Sequence, residues 1–192
     1  MINHEHKCIF IHVTKNAGTS IILAFGRKWR DESHDTAFLN DGVLSEQSKK
    51  RWESAMLQYK DYFVFAVIRN PWDRFISGWK YCASTKDKDL DTVLSHLPTF
   101  EENAHDNRHI TVPQRQRLYD GNILIPDFLI RFENLQADFN LVCDKIGKPR
   151  VKLAKENSTE HDHYRTYFNT PERRAKFESL FGIDIETFGY TF

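Results

Sequence analysis

A chain of 192 residues, 40% hydrophobic and 28% charged, has the size and composition of a single domain, residues 1–192, that buries its core without disulfide or metal staples. Its 27 basic and 27 acidic residues cancel, which excludes a nucleic-acid binder acting through bulk positive charge but leaves room for a local basic pocket that takes a small anion. No apolar run reaches the length of a membrane span, the polar start Met1–Lys7 lacks the apolar core of a signal peptide, and the cysteines Cys8, Cys82 and Cys143 are too scattered for a disulfide framework, so a soluble protein of the reducing cytoplasm is expected.

Taken in chain order, Cys8-Ile-Phe-Ile-His-Val13 is a nearly continuous apolar run, the pattern of a strand buried in a parallel sheet. A turn follows over residues 14–20, and Ile21, Ile22, Leu23 and Phe25 begin a helix. Residues 62–68 form a second strand by the same test. Pro71 is well placed to open the next helix, along which Phe75, Ile76 and Trp79 fall at helical spacing. Residues 127–132 read as a third strand. Residues 133–146 read as a helix with the stripe Leu135, Phe139, Val142 and Ile146, stopped by Gly147. Residues 171–181 form the last predicted helix, while 30–60 and 84–125 are polar and helical or looped. Strands alternating with helices predict an α/β fold with a central, mainly parallel sheet flanked by helices. Ligands of such sheets bind beyond the carboxyl ends of the strands, where segments 14–20 and 69–77 begin.

Both segments carry the chemistry of an anion site. In the first, Gly18 permits close backbone approach, the following helix start offers N–H groups, Thr19 and Ser20 add hydroxyls, and Lys15 adds a mobile charge. It is not a Walker A loop, in which the lysine follows the glycines. A plain strand-to-helix turn capped by Thr19 or Ser20 is the competing reading. In the second, Arg69 leaves a buried strand with a planar fork suited to phosphate, and Ser77 follows two helical turns on. Here the competing reading is a structural ion pair between Arg69 and Asp73, with Arg74 in solvent. Two such loops on neighbouring strands suit a ligand with two separated anionic ends.

The stretch Phe10-Ile-His-Val-Thr-Lys-Asn-Ala-Gly-Thr-Ser-Ile21 resembles the 5′-phosphosulfate loop of sulfotransferases that use 3′-phosphoadenosine 5′-phosphosulfate (PAPS). Val67-Ile-Arg-Asn-Pro-Trp-Asp-Arg-Phe-Ile-Ser-Gly-Trp79 resembles their 3′-phosphate motif. Residues 130–139, 155–168 and 184–190 resemble the carbohydrate-sulfotransferase branch. One departure is Thr14, where the family usually has proline. The resemblance implies a three-layer, P-loop-like fold and transfer of a sulfuryl group from PAPS to an acceptor hydroxyl, a saccharide above all. It implies that Lys15 stabilises the leaving phosphate, that Lys15, Asn16, Ala17, Gly18, Thr19 and Ser20 hold the phosphosulfate, and that Arg69 and Ser77 hold the 3′-phosphate. From the late loop it draws in Asn157, Ser158, Tyr164 and Arg165. The general base is sought beyond the first helix, at His34, with Glu32 and Asp35 as alternates. His12 is read as a packed histidine, and Gln114, Arg115 and Arg117 either meet the acceptor or lie solvated on a helix. His161 and His163 flank Asp162 but lack a cysteine or a second spaced pair, so no metal is assigned. A P-loop-like nucleotide kinase or NTPase, and a nucleotide-binding module without catalysis, are the alternatives.

Overall fold

The computed structural model describes residues 1–27, 54, 57–97, 104–156 and 159–192, and the chain divides into two compact units. His34, Glu32, Asp35, Asn157 and Ser158 lie outside the described residues.

The first unit comprises residues 1–68 and 116–157. Its sheet has the order β1 (Ile2–Asn3), β2 (Cys8–Ile11), β3 (Phe63–Ile68) and β6 (Phe128–Arg131). β2, β3 and β6 run parallel, with Ile11 opposite Ala66 and Ile68 opposite Arg131, while β1 adds an antiparallel edge. β4 (Tyr119–Asp120) and β5 (Ile123–Leu124) form a separate hairpin. Cys8, Phe10, Phe65, Val67 and Ile130 share a core with Ile21 and Ile22 of α1 (Gly18–Ala24) and with Phe139, Val142 and Cys143. Ile9, Ile11, Val64, Ala66 and Ile68, on the opposite face of the strands, are buried as well. Burial on both faces is why β2 and β3 read as unbroken apolar runs rather than alternating ones. The three cysteines are free and buried, and burial pushes the Cys8 thiol up to about 12, so it stays protonated and serves as packing.

The second unit comprises residues 69–115 and 158–192 and is helical among the described residues. α2 (Pro71–Tyr81) lays Trp72, Phe75, Ile76 and Trp79 into an aromatic core. α3 (Leu90–Ser95), α4 (Ala104–Thr111), α7 (Tyr164–Tyr167) and α8 (Pro171–Phe188) surround it. A short helix, α5 (Gln114–Leu118), begins in this unit, and α6 (Leu135–Lys145) follows β6 in the first.

The predicted strands are present, the first ending two residues early, the second starting one residue late and the third shorter by one residue at each end, and the predicted 133–146 helix begins as a 3-10 turn over Phe132–Asn134. The last helix runs seven residues beyond the expected Phe181. Gly182 does not stop it, because Phe181, Asp184 and Phe188 continue the buried stripe begun at Phe177. Burying such a face outweighs the roughly 1 kcal/mol that an interior glycine costs a helix. The stop comes at Gly189, whose φ of 64° suits a left-handed cap.

Gly78 marks a close approach of α2 to α4. A Cβ there would stand 2.6 Å from the His109 carbonyl oxygen and 2.7 Å from Ile110 Cγ2. Gly78→Ala should therefore destabilise the protein by about 1–2 kcal/mol, since overpacking against rigid backbone exceeds the gain in helix propensity. Urea unfolding checks this, and an unchanged or raised midpoint would refute the close approach.

Candidate active site

The first loop belongs to the first unit and links β2 to α1. Lys15 and Ala17 both hold left-handed backbone, at φ 65° and 57°, with Asn16 between them at negative φ. For residues other than glycine this conformation costs on the order of 1–2 kcal/mol each, so the surroundings must enforce it. Asn16 contributes one such tie. It is fully buried, and its Nδ2 donates to the carbonyl of Val67, the penultimate residue of β3, at 2.7 Å. The loop is thus pinned to the carboxyl end of the neighbouring parallel strand. Alternating signs of φ over residues 15–17 match the sign pattern of an anion nest.

Around this nest, Lys15 and Thr19 are half-buried and Ser20 is buried. At Gly18 the position a Cβ would take lies 2.0 Å from His12 Cδ2, so the glycine is needed for the His12 ring to pack against the helix start. This adds to the sequence expectation, in which Gly18 was small for a ligand's sake.

The second loop belongs to the second unit and begins with Arg69, the residue after β3. Asn70 caps α2 by accepting from the Asp73 N–H at 3.2 Å, and Pro71 opens it, as its fixed φ favours. Arg69 Nε and Nη2 both donate to Asp73 Oδ2, at 2.8 and 2.6 Å. The ion pair that competed with the phosphate reading therefore exists. It engages one edge of the guanidinium and holds the fork in a defined orientation. Arg74 is buried rather than solvated, and its Nη2 donates to the Val112 carbonyl at 3.0 Å. Ser77 is buried on α2.

Tyr164 packs into the aromatic core, stacked on Trp72 at 6.1 Å between centroids with an interplanar angle of 18°. Exposed Arg165 lies over the rings of Tyr164 and Phe192. Among the described residues no group of His, Cys, Asp and Glu is gathered as a metal site.

Two residues emerge that sequence reasoning did not place here. Gln114 is fully buried. Its Oε1 accepts from the Arg69 N–H and its Nε2 donates to the Arg69 carbonyl, both at 2.9 Å. Asp184, also fully buried, accepts from the backbone N–H of Gln114 at 2.7 Å and of Arg115 at 2.8 Å. Desolvation pushes the Asp184 carboxyl above the usual aspartate value, against the opposing pull of Arg74 and these N–H groups. Gln114 and Arg117 are buried, so the expectation of a solvated helix surface does not hold for either. The available signal was Asp184 itself, a lone carboxylate in helical register with Phe177, Phe181 and Phe188.

In the first unit, the stretch that follows β6 closes on itself. Asp138 accepts from the Arg131 N–H at 2.8 Å and from Asn134 Nδ2 at 2.6 Å, so part of that stretch's residue pattern serves the turn into α6.

No described helix is long and apolar enough to cross a membrane. The chain is similar to an uncharacterized protein of Archaeoglobus fulgidus, 31% identical over 108 residues that make up 56% of this chain and 86% of the relative. No solved structure matches the chain. The model of the sulfotransferase family matches residues 1–191, a span that takes in the pinned loop, the Arg69–Ser77 segment and the tail. With an α/β fold, a mainly parallel sheet and a match over nearly its whole length, the chain belongs to the sulfotransferase family.

Proposed function

We propose that this chain is a single-domain, PAPS-dependent sulfotransferase that acts on a hydroxyl of a carbohydrate in the cytoplasm. The observation that carries the reading is the loop from Lys15 to Ala17. Strained left-handed backbone at two non-glycine residues, held by a buried asparagine beside a lysine and two hydroxyl residues, is an arrangement suited to an anion. The donor set fits the phosphosulfate group, and Arg69 supplies a planar fork for a second phosphate.

PAPS, when bound, supplies the activated sulfuryl group. Lys15 holds the oxygen on which charge accumulates as the leaving phosphate departs, a stabilisation made largely at the transition state. The backbone of Asn16, Ala17 and Gly18, with the hydroxyls of Thr19 and Ser20, orients the phosphosulfate. Arg69 and Ser77 hold the 3′-phosphate, which separates this donor from ATP. Tyr164 and Arg165 contribute to the nucleotide site. His34 is assigned as the base that removes the acceptor proton, on its sequence position and residue type alone.

Calorimetric titration with adenosine 3′,5′-bisphosphate, with ATP in parallel, tests the reading. The bisphosphate should bind at least about tenfold more tightly, the scale of one charge-assisted contact. Preference for ATP would move the assignment to a kinase or NTPase. Binding to neither would make both loops structural. Bisphosphate binding with no turnover across a panel of saccharide acceptors would leave a binding module.

A further inference from the structure

Arg69 is the first residue after a strand, where backbone groups lose their ladder partners and a side chain is free to drift. In this protein its backbone is instead paired on both sides by one side chain. The Gln114 amide accepts from the Arg69 N–H and donates to the Arg69 carbonyl, the same reciprocal exchange that two facing residues make in an antiparallel ladder. Gln114 is in turn held from behind. Its own N–H and that of Arg115 both end on the Asp184 carboxylate, one on each oxygen. Asp184 stands on a helix whose neighbouring stripe residues, Phe177, Phe181 and Phe188, are buried, so its position is set by packing. A buried carboxylate and a buried amide are expensive groups to place in a core. Here they are joined in a line that ends on the backbone of Arg69.

We infer that Gln114 is a positioning residue for the 3′-phosphate contact, fixing the backbone of Arg69, and that Asp184 fixes Gln114. The inference rests on the reading of Arg69 as the 3′-phosphate ligand. Asp73 orients the guanidinium; Gln114 orients the main chain from which it springs. Loss of the amide lets Arg69 shift, and a bidentate fork tolerates little displacement.

The test compares binding of adenosine 3′,5′-bisphosphate with that of adenosine 5′-monophosphate, whose ratio isolates the 3′-phosphate. Gln114→Ala should reduce the ratio about tenfold, the size of one charged hydrogen bond misplaced, while monophosphate affinity stays within about twofold. Asp184→Asn, nearly isosteric and still carrying one acceptor oxygen, should reduce the ratio about threefold, and it answers the question if Gln114→Ala does not fold. In an Arg69→Ala background, Gln114→Ala should leave the ratio unchanged, because the group it positions is gone. A purely structural role predicts equal losses for both ligands, or the same loss with and without Arg69, and either result overturns the inference. A wild-type protein that does not prefer the bisphosphate would overturn the Arg69 assignment first, which separates the two failures.

Discussion

Lys15→Ala should lower kcat by about 10²–10³-fold while changing the affinity for adenosine 3′,5′-bisphosphate by no more than about threefold. The reason is where the charge sits. In the ground state the bridging oxygen of a phosphosulfate carries little charge; as the bond breaks, charge builds there, and a fixed ammonium is worth most at that moment. Alanine is the informative replacement because the left-handed φ of 65° penalises it much as it penalises lysine, so backbone strain largely cancels. Glycine would relieve the strain and confound the comparison. The loop itself should hold, since its pin is Asn16 bonded to Val67. Single-turnover rates together with bisphosphate titration separate the two quantities. If affinity falls as steeply as rate, Lys15 is a ground-state ligand and its assigned role is wrong.

Arg69→Ala should weaken binding of adenosine 3′,5′-bisphosphate by roughly 1.5–3 kcal/mol and leave adenosine 5′-monophosphate nearly unaffected. Part of that loss has a second source. Removing the guanidinium leaves Asp73, whose carboxylate it engages through Nε and Nη2, as an unbalanced negative charge close to the proposed phosphate site. The double variant Arg69→Ala with Asp73→Asn should recover stability and some bisphosphate affinity, yet not the preference over monophosphate, since no fork remains to recognise the 3′-phosphate. Equal losses for both nucleotides in Arg69→Ala would return the residue to the structural ion-pair reading that its contact with Asp73 also permits.

The two readings of Arg69 are compatible once the geometry is considered. A carboxylate that holds one edge of a guanidinium reduces the rotamer freedom that phosphate binding would otherwise have to remove. On the proposed reading, the pair with Asp73 aims the side chain and the Gln114 amide does the same for the main chain.

Local chemistry made much of this protein legible in its sequence. The strands at residues 8–11 and 63–68 show as apolar runs because they are buried on both faces, and the edge strand at 128–131 shows through Phe128, Leu129 and Ile130. α2 announces itself through Asn70 and Pro71, which act within one turn of their own positions, and through the 3.6-residue spacing of Phe75, Ile76 and Trp79. The lysine-bearing loop and the Arg69 segment are visible because their residue types sit next to strand ends, and strand ends are where parallel sheets expose unpaired backbone. These features depend on neighbours a few residues away, so sequence alone determined them, and with them the α/β class. Tertiary structure decided the rest. Gln114 meets Arg69 across 45 positions and Asp184 meets Gln114 across 70, and contacts at such separations leave no periodic trace. The choice between Gly182 and Gly189 as the end of the last helix turned on whether Phe181, Asp184 and Phe188 found a core to enter. The left-handed φ at Lys15 and Ala17 likewise runs against the intrinsic preference of both residues, and the bond from Asn16 to the adjacent strand is a tertiary contact that ties the loop in place.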